Sequence, residues 1–239
     1  MSGTFDLYEC LNYNVGDGIV MNTVQGDVWN LCETDVGHGI ALRIPGNTVD
    51  PMFPKGLNGL GSYEFSRAVS SWNLDEAGMA LAAVNSVMNT ERNAARANCD
   101  SGRYTDGLDL TGKTVGVVGH FRSVPQMRQE AKELYVLERD PQEGDYPDSA
   151  CDWLLPKCDI VFITGCSITN KTLPHLLSLC QNAYTVLTGP SVPLCRELFD
   201  FGIDRLAGTI VTDAEGIRQN VLYTRSSPVQ YGKQFILSR

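Results

Sequence analysis

The fold is decided by the stretch TVGVVGHFR, which occupies residues 114–122. Its first part, TVGVV, has no alternating polar positions, and the run ends at Gly119. Such an uninterrupted run is typical of a strand that is buried on both faces of a parallel sheet. The sequence therefore predicts a buried parallel strand here, followed by a loop at its carboxyl end.

The same pattern recurs through the rest of the second half. Further apolar runs lie at residues 134–137, 160–164, 184–188 and 209–212. Stretches with helical character separate them, at residues 126–133, 149–155, 173–179 and 194–201. Strands that alternate with helices form a parallel sheet with helices on both faces. We therefore predict an α/β, Rossmann-like domain over residues 112–239.

The first half is organised differently. β-like runs at 28–34 and 39–44, and short helices expected over 4–12 and 62–70, surround a Pro- and Gly-rich loop at 45–61. A long helix is predicted from Leu74 to about residue 97, because apolar residues recur there at spacings of three and four. Asn73 is a suitable N-cap, and Glu76 would complete a capping box. We predict a small α+β domain over residues 1–105, followed by a polar linker.

Composition narrows the function classes. The net charge is −9, and the 19 Lys and Arg residues are scattered, so nucleic acid is not an expected partner. No apolar run approaches the roughly 18 residues of a membrane span. The amino-terminal residues lack a secretory signal, which favours the cytoplasm. The eight cysteines contain no C-x-x-C pair, so we expect reduced thiols with mostly structural roles.

Ligand-binding residues are expected in the loops that follow the predicted strands. These loops converge at one edge of a parallel sheet, where ligands bind. The candidates at the strand ends are Gly119, His120, Phe121, Arg122, Glu138, Thr164, Ser167, Asn170, Lys171, Thr172, Gly189, Pro190 and Ser191. The sequence thus predicts one ligand site built from four loops.

Part of a dinucleotide fingerprint is present. Gly116 and Gly119 lack the third glycine of G-x-G-x-x-G, and His120 stands where a pyrophosphate needs bare backbone. Glu138 follows Gly119 by 19 residues, close to the separation expected for a carboxylate that binds a ribose. An enzyme with a nucleotide-like cofactor, such as NAD or S-adenosylmethionine, therefore remains an alternative, as does a Glu138 that merely ends a strand.

Two further sites are suggested by single residues. Thr172 is a suitable cap for a helix that begins at Leu173, which would place Asn170 and Lys171 at a positive helix end suited to an anion. The alternative is that these residues only shape the loop. For a metal, the candidates that could converge at the strand ends are His120, Cys166 and Cys195, since imidazole and thiolate suit Zn, Cu(I) or Ni. Their spacing is not diagnostic of a metal site.

Several short segments together resemble one family. They are VGVVGHF at 115–121, EGDYP at 143–147, CDIVFIT at 158–164, NKTLP at 170–174 and GPSVPL at 189–194, with SWN at 71–73, Glu76 and AAVN at 82–85. In this order they resemble the putative heavy-metal chelation family. The resemblance covers both halves of the chain.

The resemblance implies an enolase-amino-terminal-like domain followed by a Rossmann-like domain, with a cleft between them. It places Asn85 on the far side of that cleft and implies a role in handling transition metals or their chelates. Cys166 and Cys195 depart from the small residues expected of the family, so a thiolate site would be peculiar to this chain.

The leading hypothesis is binding or processing of a transition-metal ion, a metal chelate or a small anionic metabolite in this cleft. The nucleotide-dependent enzyme and a non-catalytic interaction module are the alternatives. The sequence leaves open whether a reaction is catalysed, which ligand or cofactor is bound and whether the chain forms a homo-oligomer.

Overall fold

A computed structural model describes residues 4–239, so residues 1–3 of the predicted amino-terminal domain lie outside the described part. The first half begins with a helix and a three-stranded antiparallel sheet of order β1-β2-β3, and three helices follow. Their bounds are α1 Thr4–Asn14, β1 Val20–Gln25, β2 Trp29–Thr34, β3 His38–Leu42, α2 Ser62–Arg67, α3 Leu74–Met88 and α4 Glu91–Arg96. The predicted α+β character of this half is confirmed.

The long helix predicted to about residue 97 is interrupted. Asn89 ends α3 with non-helical backbone angles (φ −89°, ψ 68°), and the Thr90 side chain caps α4 by accepting from the Asn93 N–H at 3.2 Å. At the start of α3 the Asn73 side chain accepts from the Glu76 N–H at 3.0 Å, which confirms the cap. The Glu76 carboxylate does not complete the box, because it accepts instead from the backbone of the 45–61 loop.

The second half forms an eight-stranded sheet of order β4-β11-β10-β9-β8-β5-β6-β7. Its elements are β4 Asp100–Ser101, β5 Thr114–Val118, α5 Val124–Glu130, β6 Glu133–Glu138, β7 Tyr146–Pro147, α6 Cys151–Leu154, β8 Ile160–Thr164, α7 Cys166–Thr169, α8 Leu173–Leu179, β9 Tyr184–Thr188, β10 Arg205–Val211, α9 Ala214–Tyr223 and β11 Gly232–Ser238. Strands β5 to β10 are parallel, as predicted. The sequence did not indicate α9, the short parallel strand β7, or the antiparallel strands β11 and β4. The helix predicted over 194–201 is a 3-10 helix, Arg196–Phe201.

Both faces of this sheet are covered. In β8, Val161 and Ile163 belong to one apolar cluster, whereas Ile160 and Phe162 belong to another on the opposite face. Alternate side chains of a strand point to opposite faces, so burial of both faces explains the continuous apolar run, as the sequence suggested. No helix within residues 4–239 has the length and hydropathy needed to cross a bilayer.

The three-stranded sheet lies between two helices. On one face, β3 approaches α3 so closely that a Cβ at Gly39 would lie 2.1 Å from the Ser86 nitrogen. On the other face, Trp29, Leu31 and Ile40 pack against α9 of the second half. The apolar core is therefore shared between the halves, and their division at residues 105–112 stays a prediction.

Candidate functional site

A cavity of about 850 Å³ lies at the carboxyl ends of β5, β6, β8 and β9. All but two of the predicted ligand-binding residues line it. They are Gly119, His120, Phe121, Arg122, Glu138, Thr164, Ser167, Asn170, Thr172, Gly189, Pro190 and Ser191, and Cys166 joins them. The structure thus brings four loops around one hollow.

The strand order explains the position of this hollow. After β5 the chain moves to β6 on one side, and it then returns to β8 on the other side of β5. The loops after β5 and β8 therefore diverge and leave a crevice between them. Gly119 has a left-handed φ of +103°, and a Cβ there would lie 3.2 Å from the Cβ of Thr164. A side chain at Gly119 would therefore both strain the backbone and crowd this crevice.

His120 is held by a buried carboxylate. Its Nδ1 lies 2.9 Å from Oδ2 of Asp145, whose side chain is 1% exposed, whereas that of His120 is 29% exposed. The Gln142 N–H also donates to this oxygen at 3.1 Å. With Asp145 ionised, Nδ1 donates and the Nε2 lone pair is left to accept. Because His120 lines the cavity, Nε2 is the ring nitrogen that is left for a ligand.

Asp145 was not singled out from the sequence. Its only signal was its place in the EGDYP segment, which carries no mark of contact with a loop 25 residues earlier. Oδ1 of Asp145 is buried and has no hydrogen-bond partner among the described residues. The carboxylate is therefore committed to His120 and one backbone amide.

The far wall comes from strands of the first half. Trp29, Leu42 and Ile44 line the cavity, whereas none of the α3 residues, 74–88, does so. Ser191 fastens this wall to the loop after β9, since its hydroxyl accepts from the Leu42 N–H at 2.9 Å. Apolar side chains of the first half thus line the same cavity as the loops of the second half.

Asn85 is not in the lining. It is fully buried, and its amide donates to the carbonyls of Ile40 at 2.9 Å and Pro190 at 3.4 Å. It therefore connects β3 to the loop that carries Gly189 and Pro190. Its contact with the cavity is indirect, through the position of that loop.

Lys171 also lies outside the cavity. A left-handed φ of +67° directs its side chain away, so that Nζ donates to the Val69 carbonyl and lies 5.0 Å from the ring centroid of Tyr8. Burial lowers the pKa of this amine to about 8. The predicted cap is wrong in detail too, since the Thr172 hydroxyl bonds to Oδ1 of Asn170 at 2.6 Å and does not cap α8. The predicted anion site therefore lacks its lysine.

The charges of the lining are mostly paired. Arg139 lies 3.3 Å from Asp148, Arg103 lies 3.6 Å from Asp106, and His175 lies 3.1 Å from Asp152. Arg122 makes no ion pair within the part of the chain that the structure describes. Arg122 is therefore the lining cation that is available to an anionic ligand.

Two smaller side chains complete the lining. Thr188 is almost fully buried, and its hydroxyl has no partner among residues 4–239. Burial raises the pKa of the Cys166 thiol, so this sulfur is a neutral group at ordinary pH. Thr188 was not among the sequence candidates, because a threonine inside a buried strand carries no sign of a missing partner.

The described residues contain no ready-made cluster of metal ligands. Across 4–239, no group of three or more His, Cys, Asp and Glu side chains is placed to hold an ion. His120 and Cys166 both line the cavity, but no third ligand joins them. A bare ion held by protein ligands alone does not fit this arrangement.

Known proteins are similar to this chain in sequence and fold. A relative from Methanocaldococcus jannaschii, an uncharacterized protein, is 31% identical over 159 residues, which are 64% of this chain and 61% of the relative. The chain thus spans less than two thirds of that relative's length.

Solved structures match over the whole chain. A DUF364-family protein of unknown function from Desulfitobacterium hafniense matches 100% of both chains with a TM-score of 0.90 and 31% identity. A second one, from Pyrococcus horikoshii, covers 99% of both chains with a TM-score of 0.82 at 20% identity, and so supports the fold alone. The profile described as "Putative heavy-metal chelation" matches residues 106–227, just over half of the sequence. This chain therefore belongs to the DUF364 family.

Proposed function

We propose that this chain binds a metal chelate, meaning a transition-metal ion already held by a small anionic organic ligand. The observation that carries the proposal is the His120–Asp145 pair, which presents one oriented imidazole to a cavity where the described residues form no group of three or more metal ligands. The family description, which names heavy-metal chelation, supports the same chemistry.

The size of the cavity favours a chelate over a bare ion. Its volume of about 850 Å³ falls in the range of roughly 300–1,000 Å³ that small-molecule sites occupy. A structural zinc site, by contrast, encloses its ion with about four protein ligands. In a chelate the organic part supplies most donors, so one histidine is sufficient to complete the coordination.

The protein groups divide the recognition between them. Asp145 fixes the tautomer and orientation of His120, which is how carboxylates support metal-binding histidines. The unpaired Arg122 offers a positive charge to the anionic part. Trp29 and Leu42 supply apolar contact surface in the same cavity. A cavity of this volume also favours ligand binding over the interaction-module alternative.

Calorimetry with defined chelates tests the proposal. Tag-free protein is titrated with Ni(II), Co(II) or Cu(II), each presented as its citrate or histidine complex, and with each metal and each chelator alone. We expect at least one chelate to bind more tightly than its components. The substitution His120→Ala should weaken that binding about 10- to 100-fold. His38→Ala is the matched control, because His38 lies in β3 and does not line the cavity.

Two results would overturn the proposal. One is that no chelate of the panel binds, and the other is that His120→Ala and His38→Ala bind equally well. If an ion binds tightly without its chelator, and if this binding depends on His120, the ligand of the cavity is the bare ion and not a chelate.

One observation favours a second candidate function. Glu138 lines the same cavity beside the Gly119 loop, where a nucleotide ribose would lie in a Rossmann-like sheet. A cofactor-dependent enzyme predicts that NAD or S-adenosylmethionine raises the melting temperature and that Glu138→Gln removes the effect. If neither compound raises the melting temperature, the chelate proposal is the one that remains.

A further inference from the structure

Two threonine side chains lie next to each other at the strand ends that border the cavity. Thr164 is the last residue of β8 and Thr188 is the last residue of β9, and they are register partners in these neighbouring parallel strands. Both line the cavity. They follow Phe162 and Val186 by two positions, so they lie on the sheet face of the apolar cluster that contains those residues. We call Thr164 and Thr188 the hydroxyl pair.

The hydroxyl pair has protons to donate. Thr188 is 1% exposed, and its hydroxyl has no hydrogen-bond partner among residues 4–239. The Thr164 hydroxyl accepts from the Cys166 N–H at 3.4 Å, and a hydroxyl that accepts keeps its own proton for another partner. A buried polar group without a partner is costly, so the Thr188 hydroxyl indicates that a ligand group bonds to it in the cavity.

The backbone carbonyls of the same two residues are already engaged. The Thr188 carbonyl accepts from the Gly165 N–H at 2.9 Å. The Thr164 carbonyl accepts from the Ser167 hydroxyl at 2.7 Å. The hydroxyl pair therefore offers donors to the cavity, and a ligand group that matches it supplies acceptors.

A glycine keeps space open beside the pair. Gly119 follows Val118, whose register partner is Ile163, so Gly119 lies next to Thr164. A Cβ at Gly119 would lie 3.2 Å from the Cβ of Thr164 and 3.7 Å from Cζ of Phe121. The glycine thus leaves room next to Thr164 that the side chain of another residue would fill.

We propose that the hydroxyl pair binds a carboxylate of the organic part of the chelate, an inference that rests on the proposed function and names its ligand class. Neighbouring strands lie about 4.8 Å apart, so hydroxyls on partner residues can each donate to one oxygen of the same carboxylate. Hydrogen bonds to a charged oxygen are stronger than those to a neutral one, which favours a carboxylate over a hydroxyl or an ether. The cavity therefore selects chelators of the amino-acid or hydroxycarboxylic-acid type, with the metal at His120.

Two chelators that differ in one carboxylate test this inference. Histidine and histamine share an imidazole and an amine, and only histidine carries a carboxylate. The protein is titrated by calorimetry with the 1:1 Ni(II) complex of each. We expect Thr188→Val to weaken binding of the histidine complex about 10-fold and to leave binding of the histamine complex unchanged. Thr188→Ser, which keeps the hydroxyl, should bind both complexes as the native protein does.

Thr185→Val is the matched control. Thr185 is fully buried in the same strand, but it does not line the cavity, and its hydroxyl donates to the Ala183 carbonyl at 3.4 Å. This variant should leave the affinity for both complexes unchanged. Circular dichroism melts check the folding of each variant, and Thr188→Val should melt no lower than the native protein because it loses only a hydroxyl without a partner.

The outcomes separate this inference from the proposed function. If Thr188→Val weakens both complexes equally or weakens neither, or if only the histamine complex binds, the carboxylate assignment is overturned while His120-dependent chelate binding stands. If only the Ni(II) citrate complex binds, Thr188→Val should weaken it about 10-fold, and an unchanged affinity overturns the assignment. If the native protein binds no chelate at all, both proposals fail together.

Discussion

Replacing Asn89 with alanine should loosen one wall of the cavity from a distance. The Asn89 amide donates to the carbonyls of Val192 at 2.8 Å and Thr209 at 3.3 Å, and its oxygen accepts from the Leu194 N–H at 2.9 Å. These bonds join the end of α3 to the loop after β9 and to β10. The side chain is 2% exposed, so water cannot readily replace it.

The expected cost follows from the groups left without partners. A buried donor or acceptor that loses its partner costs about 1–3 kcal/mol. Asn89→Ala strands the Leu194 N–H and the Val192 carbonyl, the two partners at the shorter distances, which suggests a total of about 3 kcal/mol. For a chain of this length, 1 kcal/mol lowers the melting temperature by about 2–4 °C, so we expect a decrease of about 6–12 °C.

Asn93→Ala is the matched control for this measurement. The Asn93 amide also donates to two carbonyls, those of Val87 and Met88, but it is only partly buried and water can replace it. It should cost less than about 1 kcal/mol. Thermal unfolding by circular dichroism compares the two variants. If the two variants melt at the same temperature, the buried bonds from Asn89 to the loop after β9 do not stabilise the protein more than the partly buried bonds of Asn93, and the reasoning is refuted.

Two further predictions concern buried polar groups. Thr188→Val removes a hydroxyl without a partner in the described residues and keeps the side-chain shape, so the free energy of unfolding should stay equal or rise. Chelate binding, measured by calorimetry, should nevertheless weaken about 10-fold if this hydroxyl contacts the ligand, and unchanged affinity would remove Thr188 from the site. Lys171 has its pKa lowered by burial to about 8 from 10.5, so the unfolded chain binds more protons between these values. The free energy of unfolding of the native protein, relative to Lys171→Met, should therefore rise from pH 8 toward pH 10 in urea titrations, and a flat difference would show that the amine ionises normally.

The strands of the second half could be predicted because burial on both faces makes every position of a strand apolar, which is visible in the sequence itself. The run at 160–164 is apolar throughout, since Val161 and Phe162 face opposite clusters. The antiparallel strand β11 is exposed at Lys233 and only partly buried over its next two residues, Gln234 and Phe235, so it lacks the continuous apolar run of the parallel strands. The parallel strands also identified the loops, because their carboxyl ends meet at one edge whatever the loop sequences are.

The direction of individual side chains could not be predicted in the same way. Lys171 follows Asn170 directly and belongs to the same loop, yet its left-handed backbone directs it toward α1. Asn89 ends α3 before the predicted end near residue 97, and its side chain bonds to a loop more than a hundred residues away. Both outcomes depend on tertiary contacts that leave no local pattern.

The core that the two halves share explains which part of the first half lines the cavity. The β2–β3 sheet is covered by α3 on one face and by α9 on the other, so neither face is free to form the wall of a cleft. Only the end of the sheet, with Trp29, Leu42 and Ile44, is left to face the loops of the second half. Because Ser191 and Asn85 bond this sheet to the loop after β9, the wall and the loop are positioned together. We therefore expect the cavity to keep its shape on ligand binding, with the adjustment confined to the His120 and Arg139 loops on the opposite side.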